Sequence, residues 1–274
     1  HHLPNDTVFD EKRLFRPGDV SGPYRIGPLR IGTPVCEDAW HEDVAEAQAE
    51  SGAQILLVPN GSPYSRDRFD TRMNHMVARV VENGLPLVYL NTVGGQDDQV
   101  FDGASFVLNP GGTMAALLPG FTEALAHIDF NETPDGWRAL PAALASMPDS
   151  WERDYHAMVL GTRDYLHKSG FRRALLGLSG GIDSALVAAI AADALGPENV
   201  RCIMLPSRFT AATSLADAEA VARALGCPLD SVPISGPQHA VNEALAPLFT
   251  GLPEDVTEEN IQSRLRGLLL MAIS

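Results

Sequence analysis

Leu178-Ser179-Gly180-Gly181-Ile182-Asp183-Ser184 is the stretch that decides how this chain folds. It follows an apolar run, Ala174 to Leu178, that reads as a buried strand. It precedes Ser184 to Leu195, an alanine-rich segment that reads as a helix. A loop at that junction of a parallel sheet is where anions bind. Two glycines let the backbone come close and turn N–H groups toward a phosphate. Ser179 and Ser184 add hydroxyl donors, and the helix adds its positive N-terminal end. Asp183 repels a phosphate unless a cation stands between, so Mg2+ beside Asp183 is the natural reading. Two glycines alone would also fit a tight turn with Ser or Asp as a helix cap. The full Ser-Gly-Gly-x-Asp-Ser string between strand and helix favours a nucleotide.

Working outward, Trp151 to Lys168 reads as a helix stopped by Gly170. Downstream come a strand at Val200 to Leu205 and a helix at Ser214 to Leu225 capped by Ser214. A strand near Leu229 to Ile234 and a helix near His239 to Phe249 follow. Repeated β-α-β units predict a doubly wound parallel sheet from residue 151 to 274. Residues 134–150, rich in Pro, Asp and small residues, read as a linker, with a plain surface loop as the alternative. Upstream, residues 1–133 alternate strands (Leu29 to Val35, Ile55 to Val58, Leu87 to Asn91) with helices (Asp43 to Ser51, Phe69 to Asn83). Hairpins punctuated by Gly94-Gly95 and Gly111-Gly112 follow. This is the grammar of a layered α/β domain.

The composition narrows the function. Twenty Lys and Arg against 35 Asp and Glu give a net charge of −15, and 45% of the residues are apolar. That balance supports a real core and argues against a nucleic-acid partner, which needs a basic surplus to displace counterions. The longest apolar run, Ala185 to Ala192, is too short to span a bilayer, so no membrane partner is expected. Three scattered cysteines, Cys36, Cys202 and Cys227, suggest a reducing, cytoplasmic setting. Cys202 and Cys227 read as buried thiols without a role.

The loop at 179–184 resembles the pyrophosphate loop of the N-type ATP pyrophosphatases, which adenylate a carboxyl or carbonyl oxygen and let ammonia displace AMP. Leu205-Pro206-Ser207-Arg208, followed by Ser214 to Ala218, resembles the adenine-holding segment of NAD synthetases. Thr257 to Gly267 resembles the helix that holds deamido-NAD there, with Asn260 and Arg264 on one face at i,i+4. Taken alone, that helix would also read as a solvated, charged surface.

In the amino half, Cys36-Glu37-Asp38-Ala39-Trp40 resembles the nucleophile elbow of nitrilase-like amidases, and closely that of the glutaminase domain in the glutamine-dependent NAD synthetase family. A bare cysteine would more often be structural. The surrounding string makes Cys36 the candidate nucleophile, its thiolate stabilised by local N–H groups. His1 to Asn5 and Val8 to Phe15 resemble the stretch after that family's catalytic lysine, which matches Glu11 to the second, structural or supporting glutamate near the thiolate, with an ordinary surface glutamate as the alternative. Asp6-Thr7 departs from the family's Tyr-Gly. Asn60-Gly61-Ser62-Pro63 with Arg68 matches the part that grips the amino-acid end of glutamine, and Trp40 is placed to wall that pocket or to pack the core.

The resemblance implies the later part of a nitrilase-like α/β sandwich followed by an adenine nucleotide alpha hydrolase-like doubly wound domain, both incomplete. It implies ATP, Mg2+, glutamine and deamido-NAD as ligands. The ATP set would be Ser179, Gly180, Gly181, Asp183, Ser184, Leu205 and Arg208. It also implies a homo-oligomer for the full-length protein. The family's general-base glutamate and catalytic lysine are expected before residue 1, and a Gly-Asn-Lys-Ser-Glu block beyond Ser274.

Overall fold

The computed structural model describes residues 1–5, 8–251 and 255–274, so the Asp6-Thr7 departure lies outside the described residues. The chain divides into two compact units, His1–Gly161 and Thr162–Ser274.

The first unit is built on β1 (Tyr24–Ile26), β2 (Leu29–Gly32), β3 (Ile55–Asn60) and β4 (Leu87–Asn91), with α1 (Glu42–Glu50) and α2 (Arg68–Asn83) as the crossovers. A hairpin of β5 (Val93–Gln96) and β6 (Gln99–Asp102) follows, then β7 (Phe106–Leu108) and β8 (Met114–Leu117). The six-stranded sheet runs β1-β2-β3-β4-β7-β8, with β2, β3 and β4 parallel and the flanking strands antiparallel. The side-chain period of two decides the two faces. Leu87, Tyr89, Phe106 and Leu108 pack on one side with Met76 and Val80 of α2. Val88 and Val107 pack on the other with Ala115, Ala139 and Phe130.

That second face corrects one expectation. Residues 134–150 do not form a bare linker. β9 (Phe130–Thr133) and β10 (Gly136–Ala139) pair antiparallel, and Ala139 is buried in the core. The chain then bridges Leu117 to Leu144 before α3 (Ser150–Lys168). The short hairpin carries only a few apolar residues on either side of Pro134-Asp135, so its composition hid it.

The second unit holds β11 (Ala174–Gly177), α4 (Ile182–Leu195), β12 (Val200–Met204), α5 (Ala212–Leu225), β13 (Leu229–Ser231), α6 (Ser235–Leu245) and α7 (Val256–Ile273). The strands are parallel in the order β11-β12-β13. Cys202 and Met204 face Ala188 and Ala191 of α4 and Ala218 and Ala222 of α5. Ile203 and Leu205 face Leu269, Leu270 and Ile273 of α7. Helices therefore cover both faces, as a doubly wound sheet requires. The helix expected from Ser214 begins two residues earlier. Ala211 is its N-cap without a side-chain bond, so Ser214 lies in the first turn and does not cap it. Among the described residues no helix is long and apolar enough to cross a membrane.

Candidate functional site

Cys36 follows β2 and opens a 3-10 turn, Cys36–Trp40. Its φ is +50°, a left-handed conformation that costs a residue with a Cβ about 1–2 kcal/mol. Such strain, held by the surrounding structure, aims a side chain out of the strand end. The clamp is Asp38, whose buried carboxylate accepts the backbone N–H groups of His2 at 2.6 Å and Val35 at 3.4 Å. Burial pushes the Cys36 thiol up. The N–H groups of Gly61 and Glu37 pull it down, and the carboxylates of Glu37 and Asp38 add to the rise. The expected thiolate stabilisation by N–H groups is therefore present, and desolvation outweighs it.

The β3–α2 loop lies beside this elbow. Ser62 is buried, and its hydroxyl accepts from Arg72 Nε at 3.0 Å. Arg72 is itself buried, ion-paired to Asp102 at 2.8 Å, and donates to the carbonyls of Ser62 at 2.7 Å and Pro63 at 3.1 Å. Asn91 closes the network by accepting the Ser62 N–H at 2.9 Å. Ser62 is thus held by a buried network, which orients its carbonyl and hydroxyl as a unit. The Arg68 guanidinium lies 5.6 Å from the Trp40 ring centre, and Trp40 stacks on His75 at 4.5 Å. Cys36, Trp40, Ser62 and Arg68 thus share one corner of the sheet's carboxyl end. Glu11 sits on a 3-10 turn, Glu11–Arg13, tied through its backbone N–H to Pro4. Its carboxylate makes no hydrogen bond or ion pair among the described residues.

In the second unit Ser179 follows the strand and α4 begins at Ile182. Ser184 Oγ ties the loop to itself, donating to the Gly181 carbonyl at 2.9 Å and lying 2.9 Å from Ser179 Oγ. Gly180, at φ +82°, could carry no Cβ, because it would collide with the Ser214 carbonyl on α5. The glycine therefore serves close packing of loop on helix. Asp183 is exposed in the first turn of α4, a hard oxygen donor beside the loop. That placement fits a Mg2+ shared with phosphate oxygens.

A pocket of about 330 Å³ opens next to the loop, lined by Ser179, Met204, Leu205, Thr210 and Arg266 among others. Arg266 donates to the Leu205 carbonyl at 3.2 Å. Arg208 lies outside this pocket, with its guanidinium 4.6 Å from the Phe209 ring centre. Asn260 and Arg264 also stand apart from it. They line a separate groove of about 460 Å³ with Val241 of α6 and with Leu265 and Leu268 of α7. Residues 264 and 266 are about 200° apart around a helix, so α7 presents one arginine to each side. The sequence alone offered no sign of which arginine faces the loop. Arg72, Asp102 and Asn91 were also missed as partners of the loop that carries Ser62. Their burial and pairing show only in the folded structure.

The family model described as Carbon-nitrogen hydrolase matches residues 1–137, and that described as NAD synthase matches residues 154–274. A glutamine-dependent NAD(+) synthetase of Rhodobacter capsulatus is 63% identical over the whole chain, and one of Acinetobacter baylyi is 39% identical. The chain spans about half the length of these curated relatives, 50% in both cases. A solved glutamine-dependent NAD+ synthetase from Acinetobacter baumannii, in complex with ADP, superposes with a TM-score of 0.94 at 38% identity. That alignment covers 100% of this chain and 52% of the other.

Proposed function

Since this chain belongs to the glutamine-dependent NAD(+) synthetase family, with a carbon-nitrogen hydrolase part joined to an NAD synthase part, we propose that its parent protein amidates deamido-NAD with ammonia from glutamine. The observation that carries the reading is the pairing of a strained cysteine elbow at Cys36 with a Ser-Gly-Gly-x-Asp-Ser loop at 179–184 in one chain.

In the first half-reaction the Cys36 sulfur attacks the side-chain amide carbon of glutamine. Ammonia leaves, and water then hydrolyses the thioester to glutamate. The N–H groups of Gly61 and Glu37 stabilise the sulfur's negative charge. Arg68 holds the α-carboxylate of glutamine, and Ser62 and Trp40 wall the pocket. Glu11 is the family's supporting glutamate. In the second half-reaction the nicotinate carboxylate attacks the α-phosphorus of ATP and releases pyrophosphate. Ammonia then displaces AMP and forms the amide. Ser179, Gly180, Gly181 and Ser184 receive the phosphates, and Leu205 borders the base. Arg208 meets the outer end of the nucleotide, and Asn260 and Arg264 contact the dinucleotide. Bound Mg2+ would neutralise phosphate charge, with Asp183 as its protein ligand. The three free thiols fit a cytoplasmic setting, and the parent is read as a homo-oligomer of small-molecule specificity.

The test uses the full-length protein. Wild type converts glutamine, ATP and deamido-NAD to glutamate, AMP, pyrophosphate and NAD. C36A loses the glutamine-driven rate and keeps the ammonia-driven one. Amidation of a different nucleotide, such as xanthosine monophosphate, in place of deamido-NAD would overturn the assignment.

A further inference from the structure

The loop between β3 and α2 is fixed at alternate residues. Ser62 is held by Arg72 and Asn91, and the Tyr64 N–H donates to the Val100 carbonyl at 2.7 Å. Among the described residues, the next stretch has no such backbone anchor reaching across the fold. Asp67, the N-cap of α2, makes no side-chain capping bond, and the first turn that carries Arg68 is held only by local bonds, from Arg68 N–H to the Ser65 carbonyl and from Thr71 to the Asp67 carbonyl.

One carboxylate from far along the chain supplies the missing support. The Tyr64 hydroxyl donates to Asp154 Oδ1 at 2.9 Å, and Arg66 Nε donates to Asp154 Oδ2 at 2.7 Å. A second Arg66 nitrogen lies 2.5 Å from the same oxygen. Trp151, one helical turn earlier on α3 and on the same face, places its ring 4.4 Å from the Arg66 guanidinium carbon. All of these residues lie in the first unit. The Arg66 side chain is 50% exposed, and an exposed ion pair contributes little to stability. Its geometry is nonetheless specific: both oxygens of one carboxylate engage two side chains two residues apart on the loop. The same partners hold the Asp154 carboxyl below the usual range, so it stays ionised through neutral pH, and Tyr64 is pushed up to about 12 and stays a donor.

We infer that Asp154 is a positioning residue for the glutamine-binding loop, acting through Tyr64 and Arg66 to set where Arg68 meets the substrate's α-carboxylate. This rests on the glutaminase reading given above. Loosening the loop costs substrate alignment and leaves the sulfur chemistry of Cys36 in place, so the effect falls on KM for glutamine.

The experiment compares wild type, Asp154→Asn and Asp154→Glu in the full-length enzyme. Glutaminase kcat and KM, the ammonia-driven synthetase rate, and hydrogen–deuterium exchange over residues 63–67 are measured. Asp154→Asn is expected to raise KM for glutamine about three- to tenfold, with kcat within about twofold and the ammonia-driven rate unchanged. Exchange over the loop quickens, and Asp154→Glu recovers part of both effects. Unchanged KM, unchanged exchange, or equal loss of the glutamine- and ammonia-driven rates would each overturn the assignment. A wild type without glutaminase activity, together with faster loop exchange in Asp154→Asn, would overturn the glutaminase reading and uphold Asp154 as the loop's anchor.

Discussion

Cys36 shows how a residue's surroundings set its chemistry more finely than its neighbours in sequence. Its string marked it as a nucleophile, and the left-handed φ agrees with an elbow. What the string could not reveal is the balance of forces on the thiol. Two N–H groups favour the thiolate, while burial and two adjacent carboxylates oppose it, and the opposing side wins. The 274-residue chain should therefore alkylate slowly at neutral pH. Its iodoacetamide rate at Cys36 should climb with a midpoint above the ordinary thiol value of ~8.5. Rapid alkylation at pH 7 would show that other groups hold the thiolate. The residues of the β3–α2 loop and its partners divide in the same way. Ser62 and Arg68 were legible as a pattern, but Arg72 and Asp102 bind to each other across 30 residues. Such a pairing has no local signature.

At the scale of elements, the legible parts were those with a strong period. α2 and β4 appear where the apolar spacing put them, and the strand–loop–helix around Ser179 holds. Among the elements missed, β9 and β10 are four residues each and gain their stability from pairing with each other and from the sheet face they cover. Helix starts were the other weak point. α4 and α5 begin two residues before their expected starts, because neither uses a side-chain cap that a sequence could display. The packing of the 179–184 loop on α5 carries its own prediction. Gly180→Ala must move the Ser214 backbone or unwind a left-handed residue. A loss of about 1–3 kcal/mol in urea unfolding of the second unit is expected. On the function proposed above, ATP affinity of the full-length protein should fall as well. An Ala variant with wild-type stability would contradict the close approach described here.

Over the whole molecule, the two units bury separate cores, one around Leu56, Met76 and Tyr89 and one around Ala188, Cys202 and Ala218. Thermal unfolding of the chain should therefore depart from a single two-state transition. Leu56→Ala and Ile203→Ala, each costing about 2–5 kcal/mol, should each lower a different transition. Movement of both transitions by either variant would mean that the units unfold as one.

The contact between Gly180 and Ser214 has a further meaning. Thr210 and Leu215, which line the pocket beside the loop, flank Ser214 in sequence. Loop and α5 are in contact without an intervening side chain, so neither can be displaced by much alone. The distance from the 179–184 loop to the pocket wall is then a fixed gauge. Whatever fills the pocket therefore meets a wall that cannot yield unless the loop moves with it.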